Sequence, residues 1–334
     1  MCLAFERALG PDAQEAARLE AAAAPYLDPL LRRNPRAFFP FVDVPPNPVA
    51  AAVHDIRRIP GGIVASRSFR TCYVPHAPGD DEPCPENDTI PVRHWTHDRP
   101  ARATVLALHG FTMGRPEIDA HVLMARRWFH LGLDVALVTL PFHGRRAPAA
   151  SRYSGEGFGS WNVARLNEAV RRSVHDVEVV RRWIATETGT AVGLLGVSLG
   201  GYLTALLAGL RDDWAFAVPI VPPVCLAALP TRLRALVRGS PEPPISVPTL
   251  RAAYRVHSPL AHPLRIPRRR ALIVGGRGDW IVPPEHPVAL WRHWGRPAIR
   301  WYSGGHLAAF GRARVTGAVE AHLIRLGLCT AVSV

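Results

Sequence analysis

Residues 191–208 read AVGLLGVSLGGYLTALLA, and this stretch decides the fold. An apolar run of strand length ends in a Gly-x-Ser-x-Gly pattern, and a run of helix-forming residues follows it directly. This order predicts a strand, a sharp turn and a helix. Gly196 and Gly200 stand where a side chain would collide with the neighbouring strand and helix, so we expect the hydroxyl of Ser198 to project from the carboxyl end of the strand.

The predicted turn has a chemical consequence. It directs the N-terminus of the following helix, and with it the amide of Leu199, toward whatever Ser198 attacks. A Gly-x-Ser-x-Gly pattern also occurs in ordinary glycine-rich turns, but a strand before it and a helix after it are the context that an activated serine requires. We therefore interpret Ser198 as a nucleophile.

The composition is typical of a globular protein. The chain has 334 residues, of which 48% are hydrophobic, and this length suits one large α/β domain with insertions or two small domains. No apolar segment approaches the roughly 20 residues that a membrane-spanning helix needs. The first residues lack the pattern of a signal peptide. These features predict a cytoplasmic protein without a transmembrane segment.

Cysteine and arginine usage argue against two further classes of protein. The five cysteines form no Cys-x-x-Cys pair and leave one over, which predicts reduced thiols rather than a disulfide framework or a thiolate metal site. The formal net charge of +13 comes from arginine alone, because the chain has no lysine. The arginines are scattered, whereas a nucleic-acid-binding protein would concentrate them on one element. We therefore expect no nucleic-acid partner.

We interpret residues 1–100 as an N-terminal extension that carries the first strands of a sheet. A helical pattern from about 12 to 33 is broken by prolines, and the aromatic segment 38–41 is expected to pack on the main domain. The predicted strands of this region are 53–59, 63–69 and 92–96.

Residues 101–334 are predicted to form an α/β core in which buried strands alternate with helices. The predicted strands are 104–109, 134–140, 191–197, 215–221, 271–274 and 299–302, and the predicted helices include 118–131, 164–186 and 312–326. This alternation is typical of a mostly parallel sheet with helices on both faces, and ligands bind at the carboxyl ends of such strands.

The proline-rich segment 222–270 does not fit the alternation. It contains short helical patches at 229–237 and 250–256, and it is too long for a plain loop in a compact domain. Because it follows the strand after Ser198, we predict that it forms a cap over the site. A peripheral insertion is the alternative.

A serine hydroxyl needs a base within hydrogen-bond reach, and that base needs a group that orients it. Asp279 and His306 follow the last two predicted strands in glycine-containing loops, at the edge of the sheet where Ser198 is expected. Glu285 is the alternative acid. Asp213 precedes a strand, which puts it at the opposite edge of the sheet.

These residues resemble the alpha/beta-hydrolase superfamily, whose catalytic residues follow in the order Ser, Asp or Glu, His. The resemblance covers roughly residues 101–334. It rests on four motifs in the expected order, HGF at 109–111, GVSLG at 196–200, GRGDW at 276–280 and SGGHL at 303–307. The first motif and the N-terminal extension are more similar to the dienelactone-hydrolase and peptidase-like branches, or to an intracellular branch, than to the lipases.

The resemblance implies a cofactor-free serine hydrolase that acts on a small-molecule acyl substrate, with a carboxylic ester as the leading expectation. Ser198 would attack the carbonyl carbon, His306 would move the proton, and Asp279 would orient His306. The same set of residues also serves acyltransferases, peptidases and amidases, and a non-catalytic binding protein is a further alternative.

The resemblance also implies an oxyanion hole. One donor would be the amide of Leu199, and the second would be the amide of Phe111 or Thr112, in the loop after the first motif. Only backbone amides are needed there, so these side chains are free to line a pocket. The oligomeric state is not predicted.

Three further residues that follow strands are candidates for substrate binding. His143 lies in a Pro-Phe-His-Gly loop, while Arg115 and Arg145 stand where they would meet a charged group of the substrate. Solvated loop arginines are the alternative. No histidine pairs with carboxylates at a metal-ligand spacing, so we expect no metal.

Overall fold

A computed structural model describes residues 13–43, 50–77, 84–159, 162–229, 245–309 and 313–329. In this part of the chain, nine strands form one sheet in the order β1-β2-β3-β5-β4-β6-β7-β8-β9. The strands are β1 (Ala52–Ile59), β2 (Gly62–Arg70), β3 (Thr89–His97), β4 (Ala103–Leu108), β5 (Asp134–Val138), β6 (Ala191–Val197), β7 (Ala217–Ile220), β8 (Leu272–Gly276) and β9 (Ala298–Tyr302).

Strand direction divides the sheet into two parts. The strands β1, β2 and β3 pair antiparallel, and β3 joins β5 in the same way. All pairs from β5 to β9 are parallel. The predicted mostly parallel sheet is therefore confirmed, with its antiparallel part supplied by the N-terminal strands.

Burial explains why the central strands form where they do. Every residue of β4, β5 and β7 is buried, as expected for parallel strands that are covered on both faces. The edge strand β1 is exposed along nearly its whole length and carries charged side chains, which discourage pairing with another sheet.

Few residue pairs join β7 to β8, and this thin ladder divides the parallel part of the sheet into β5-β4-β6-β7 on one side and β8-β9 on the other. Strands β7 and β8 share the pair Ile220 and Val274, with an isolated bridge between Ala217 and Ala271. Strands β8 and β9, in contrast, pair along five residues each.

Helices cover both faces of the sheet. They are α1 (Ala13–Ala23), α2 (Pro29–Arg33), α3 (Pro116–Val122), α4 (Ala125–His130), α5 (Val163–Thr188), α6 (Leu199–Leu210), α7 (Val247–Ala253), α8 (Glu285–His293) and α9 (Ala313–Arg325). One buried apolar cluster contains side chains of α5, α6 and α8, and a second contains those of α4 and α9. No helix of the described residues is long and apolar enough to cross a membrane.

Two helical features differ from expectation. The helix predicted over 118–131 is divided into α3 and α4, because Met124 takes a left-handed backbone conformation with φ of 56°. The helix α8 was not predicted, since the prolines around it resemble a breaker. Its internal proline, Pro287, lies in the first turn, where no intrahelical N–H is needed.

The N-terminal aromatic segment packs on the main domain, as predicted. Phe38 and Phe39 are fully buried. Arg171 of α5 donates to the carbonyl of Phe38 at 2.7 Å. Glu168, on the same helix, accepts a 2.8 Å hydrogen bond from the hydroxyl of Tyr26. The long helix α5 therefore anchors the N-terminal region through charged side chains.

The described part of segment 222–270 packs on the helices beside the elbow, the sharp turn at residues 196–200. The buried imidazole of His257 is hydrogen-bonded on both sides. Its Nδ1 pairs with the hydroxyl of Tyr202 on α6, and its Nε2 lies 2.7 Å from Oδ1 of Asn167 on α5. Residues 230–244 lie outside the described residues, and most of the helical patch predicted at 229–237 falls there. The patch at 250–256 forms the end of α7 and the turn after it. That the segment caps the site stays a prediction.

Candidate active site

The strand, turn and helix predicted around Ser198 are present. Ser198 has φ of 53°, a positive value that non-glycine residues adopt rarely and mainly at constrained sites. An added Cβ would lie 2.1 Å from the carbonyl oxygen of Gly200 if placed on Gly196, and 2.0 Å from that of Leu108 if placed on Gly200. Backbone packing without side chains therefore creates the sharp turn.

The structure brings Ser198, His306 and Asp279 into one hydrogen-bonded line. Nε2 of His306 lies 2.9 Å from Oγ of Ser198, and Nδ1 lies 2.7 Å from Oδ2 of Asp279. In the tautomer that carries its proton on Nδ1, His306 donates a hydrogen bond to the carboxylate of Asp279, and Nε2 is free to accept one from the serine hydroxyl. The arrangement has the geometry of a nucleophile, a base and a group that orients the base.

Backbone amides hold the carboxylate in place. Oδ1 of Asp279 accepts from the N–H groups of Ile281 at 3.0 Å and Val282 at 2.8 Å, so both carboxylate oxygens are engaged. Asp279 is 3% exposed and His306 is 8% exposed. This burial excludes most competing water from their hydrogen bond, which strengthens it.

The two loops that carry the acid and the base are braced against each other. The amide of Gly278 donates to the carbonyl of Gly304 at 3.1 Å, and the amide of Arg277 donates to the carbonyl of Tyr302 at 3.0 Å. These bonds form because β8 and β9 are parallel neighbours whose carboxyl ends meet.

The alternative acids lie elsewhere. Glu285 begins α8, and no hydrogen bond joins it to His306 within the described residues. Asp213 precedes β7 and pairs with Arg211 at 2.6 Å and Arg181 at 3.1 Å. Asp279 is therefore the carboxylate that the fold places beside His306.

The three predicted oxyanion-hole residues flank the serine. Leu199 begins α6 directly after Ser198. Phe111 and Thr112 lie in a turn after β4, and an added Cβ on the first residue of this turn, Gly110, would be 3.5 Å from the Cβ of Ser198. Among the described residues, the amides of Leu199, Phe111 and Thr112 have no hydrogen-bond acceptor. They are available to a negatively charged oxygen.

His143 is fully buried next to this turn. Its Nδ1 lies 2.8 Å from the carbonyl oxygen of Pro141, and its ring contacts those of Phe111 and His109 at centroid distances of 5.9 and 5.0 Å. Burial, reinforced by nearby His109 and Arg146, holds the pKa of His143 well below its usual range. A neutral, enclosed imidazole supports the wall of the site, and its substrate-binding role stays a prediction.

The predicted substrate-binding arginines are both exposed. Within the described residues, neither the Arg115 nor the Arg145 side chain forms a hydrogen bond or an ion pair. Their neighbour Arg146 is fully buried instead and donates to Asp176 at 2.7 Å and to the carbonyl of Thr139 at 3.0 Å. Arg146 therefore holds the loop after β5, while a role of Arg115 and Arg145 toward substrate stays a prediction.

The pattern Gly-x-Gly-x-Gly at 155–159 marks a segment that packs closely on the site, although it was not among the predicted site residues. An added Cβ on Gly159 would lie 2.7 Å from Cζ of Phe111, and one on Gly155 would lie 2.4 Å from Nε2 of His143. Glycines at every second position of a loop are the sequence signal of such an approach. Phe111 rests on this segment and is 37% exposed.

No group of three or more His, Cys, Asp or Glu side chains with the spacing of a metal site occurs within the ranges that the structure describes. Three features identify the fold. They are the order of the strands in the sheet, a positive-φ serine between β6 and α6, and an aspartate and a histidine in the loops after β8 and β9. The chain has the alpha/beta-hydrolase fold.

Solved structures support this assignment of the fold. Acetyl xylan esterase 1 from a Thermoanaerobacterium species is 13% identical with a TM-score of 0.63, over 90% of this chain and 95% of that one. An acetyl xylan esterase from a Paenibacillus species is 15% identical with a TM-score of 0.60, over 90% and 94%. An S-formylglutathione hydrolase from Agrobacterium tumefaciens is 16% identical with a TM-score of 0.56, over 82% and 99%.

The sequence comparison finds relatives of undescribed activity. A protein of Mycobacterium tuberculosis, present in two strains and named only as uncharacterised, is 33% identical over 238 residues. The match covers 70% of this chain, and the chain spans 57% of the length of these curated relatives. No protein-family model matches the chain.

Proposed function

We propose that the protein is a serine hydrolase that cleaves a carboxylic ester through an acyl-enzyme intermediate. The observation that carries the proposal is the hydrogen-bonded line from Asp279 through His306 to Ser198, which ends at the strained turn before α6. The structural neighbours, two acetyl xylan esterases and an S-formylglutathione hydrolase, agree with this chemistry.

In the first half of the reaction, Oγ of Ser198 attacks the carbonyl carbon of the ester while Nε2 of His306 takes the hydroxyl proton. The carbonyl oxygen becomes negatively charged and accepts from the amides of Leu199 and of Phe111 or Thr112. When the intermediate collapses, the bond to the leaving oxygen breaks. His306 gives its proton to the departing alcohol, and the acyl group remains on Ser198.

In the second half, a water molecule takes the place of the alcohol. His306 accepts a proton from this water as its oxygen attacks the acyl carbon, and returns the proton to Oγ of Ser198 when the acid is released. The carboxylate of Asp279 stabilises the imidazolium that forms in both halves. The two backbone amides that hold Asp279 keep it in the orientation that this requires.

Labelling with a fluorophosphonate probe tests the proposal, because the probe modifies only an activated serine. We expect the folded wild type to be labelled and to hydrolyse short p-nitrophenyl esters. Ser198→Ala removes the attacked atom and His306→Ala removes the base, so both are expected to lose labelling and at least about 10³-fold in kcat. His54→Ala, at an exposed histidine on β1, is the matched control and should behave as the wild type.

Two outcomes would contradict the proposal. Folded wild type that takes no label and hydrolyses no ester, thioester or amide would indicate a binding protein. Labelling that persists in Ser198→Ala would place the nucleophile elsewhere. Adding alcohol or amine acceptors to an active enzyme separates the hydrolase from an acyltransferase, because only the latter transfers its acyl group to them in preference to water.

A further inference from the structure

The turn that carries the second oxyanion-hole donor is closed by its own residues. The amide of Met113 donates to the carbonyl of Gly110 at 3.3 Å, and the amide of Gly110 lies 3.2 Å from Sδ of Met113. These two contacts link the first and the last residue of the 110–113 turn. Because Gly110 packs against the Cβ of Ser198, any displacement of this turn changes the distance between the proposed donor and the nucleophile.

The peptide group that follows the turn is held at both ends. Its carbonyl, that of Met113, accepts from the hydroxyl of Ser154. Its N–H, that of Gly114, donates to Oδ1 of Asp119 at 3.2 Å. Two side chains from different segments thus fix the plane of a single peptide group. Ser154 donates to its carbonyl oxygen, and Asp119 accepts from its N–H.

Each of the two anchors is itself fixed. Asp119 lies on α3 and is 3% exposed. Oγ of Ser154 accepts a 2.9 Å hydrogen bond from the amide of Gly144, in the loop after β5, while it donates to the turn. Gly114 and Gly144 are in backbone contact, since an added Cβ on Gly114 would lie 2.7 Å from the nitrogen of Gly144.

We propose that Ser154 and Asp119 are positioning residues that hold the 110–113 turn where its amide can stabilise the oxyanion, an assignment that rests on the function proposed above. Neither side chain reaches the reacting atoms. They act by limiting the conformations of the turn before the substrate arrives, so that no reorganisation is needed as charge develops. Loss of an anchor weakens binding of the transition state and leaves binding of the neutral ester nearly unchanged.

The test is steady-state ester hydrolysis at pH 8 by Ser154→Ala, Asp119→Ala and the double variant. We expect each single variant to lose about 10- to 100-fold in kcat with KM within about threefold of wild type. The double variant should lose less than the product of the single losses, because both anchors hold the same peptide group. Asp119→Asn keeps an acceptor for the amide of Gly114 and should retain most of the activity.

Ser173→Ala is the matched control, since the buried hydroxyl of Ser173 donates to the carbonyl of Ala169 at 2.7 Å within α5, remote from the turn. It should lose stability without loss of kcat, and thermal unfolding of every variant verifies that it is folded. If Asp119→Ala does not fold, Ser154→Ala alone decides.

The outcomes distinguish this assignment from the proposed function. An active wild type whose folded Ser154→Ala variant keeps full kcat, or loses only in KM, overturns the positioning role and leaves the hydrolase intact. A kcat loss as large in Ser173→Ala also overturns it. A wild type without labelling or hydrolysis overturns the proposed function and, with it, the assignment.

Discussion

The two sides of the proposed oxyanion hole are built in different ways. The elbow around Ser198 is shaped by backbone atoms in contact, with Gly200 pressed against the carbonyl of Leu108. The opposite side, the 110–113 turn, is held by the side chains of Ser154 and Asp119. A backbone contact tolerates no added atom, whereas a hydrogen-bonded anchor can be exchanged or removed. The elbow should therefore respond to substitution by failure, and the turn by graded loss.

The largest effect is expected at the elbow. Gly200→Ala forces a methyl group to within 2.0 Å of the carbonyl oxygen of Leu108, and this contact is with the backbone of a buried strand rather than with the end of a flexible side chain. We expect a loss of more than about 4 kcal/mol in the free energy of unfolding, or no folded protein. Gly317→Ala is the control, because an added Cβ there has no atom within 4 Å. Urea unfolding of both measures the difference, and a stable, labelled Gly200→Ala would contradict the backbone account.

A smaller effect is expected from titration of an anchor of the turn. Burial raises the pKa of Asp119 to about 7, with the amide of Gly114 opposing and Glu117 adding to the rise. The unfolded carboxyl has a pKa of about 4. Between these values the folded state binds more protons, so the free energy of unfolding falls as the pH rises from about 4 to about 7.

Asp119→Asn removes this titration. Its stability relative to wild type should therefore increase across the same window, by up to about 4 kcal/mol at 1.4 kcal/mol for each pKa unit. Urea unfolding at pH 5 and pH 8 spans about two of these pKa units and should show about 2.6 kcal/mol of the change. Asp98→Asn, at an exposed carboxylate, is the comparison variant. A stability difference that stays constant with pH would mean that Asp119 is ionised throughout.

The smallest effect is expected where the turn meets a movable side chain. An added Cβ on Gly159 approaches only the far end of the Phe111 ring, which can rotate outward. We expect Gly159→Ala to cost less than about 1 kcal/mol in stability. Because the ring is exposed beside the serine, KM should change a few-fold for aromatic esters while kcat stays constant. A kcat loss instead would show that the ring and the turn move together.

The same contrast explains what the sequence could predict. The elbow can be recognised from local sequence alone. Its five consecutive residues include the serine with positive φ and the two glycines that leave room for the turn. The positions of Asp279 and His306 near Ser198 were predictable because each residue follows a strand of the parallel sheet. Ser154, in contrast, bonds to a carbonyl 41 positions earlier in the chain, and no local pattern announces that pairing. The bond exists only once the loops after β4 and β5 have been brought together by the sheet.

The fold shows the same limit at its helices. Hydrophobic periodicity predicted the long helix α5 within two residues, because its buried face is continuous over 26 residues. It did not reveal the left-handed break at Met124, nor the helix α8 among its prolines. The break at Met124 depends on how α3 and α4 pack on the sheet. The sequence of the segment itself does not contain this information.

The thin ladder between β7 and β8 has a mechanical consequence for the site. Asp279 and His306 both stand on the β8–β9 pair and are braced to each other by loop hydrogen bonds, whereas Ser198 belongs to the other side of the ladder. Asp279 and His306 thus stand on one hydrogen-bonded unit of the sheet, and Ser198 stands on the other. We expect deformation of the sheet to concentrate at this junction, where the ladder has the fewest pairs, and therefore to change the distance between Nε2 and Oγ more than the distance between the imidazole and the carboxylate.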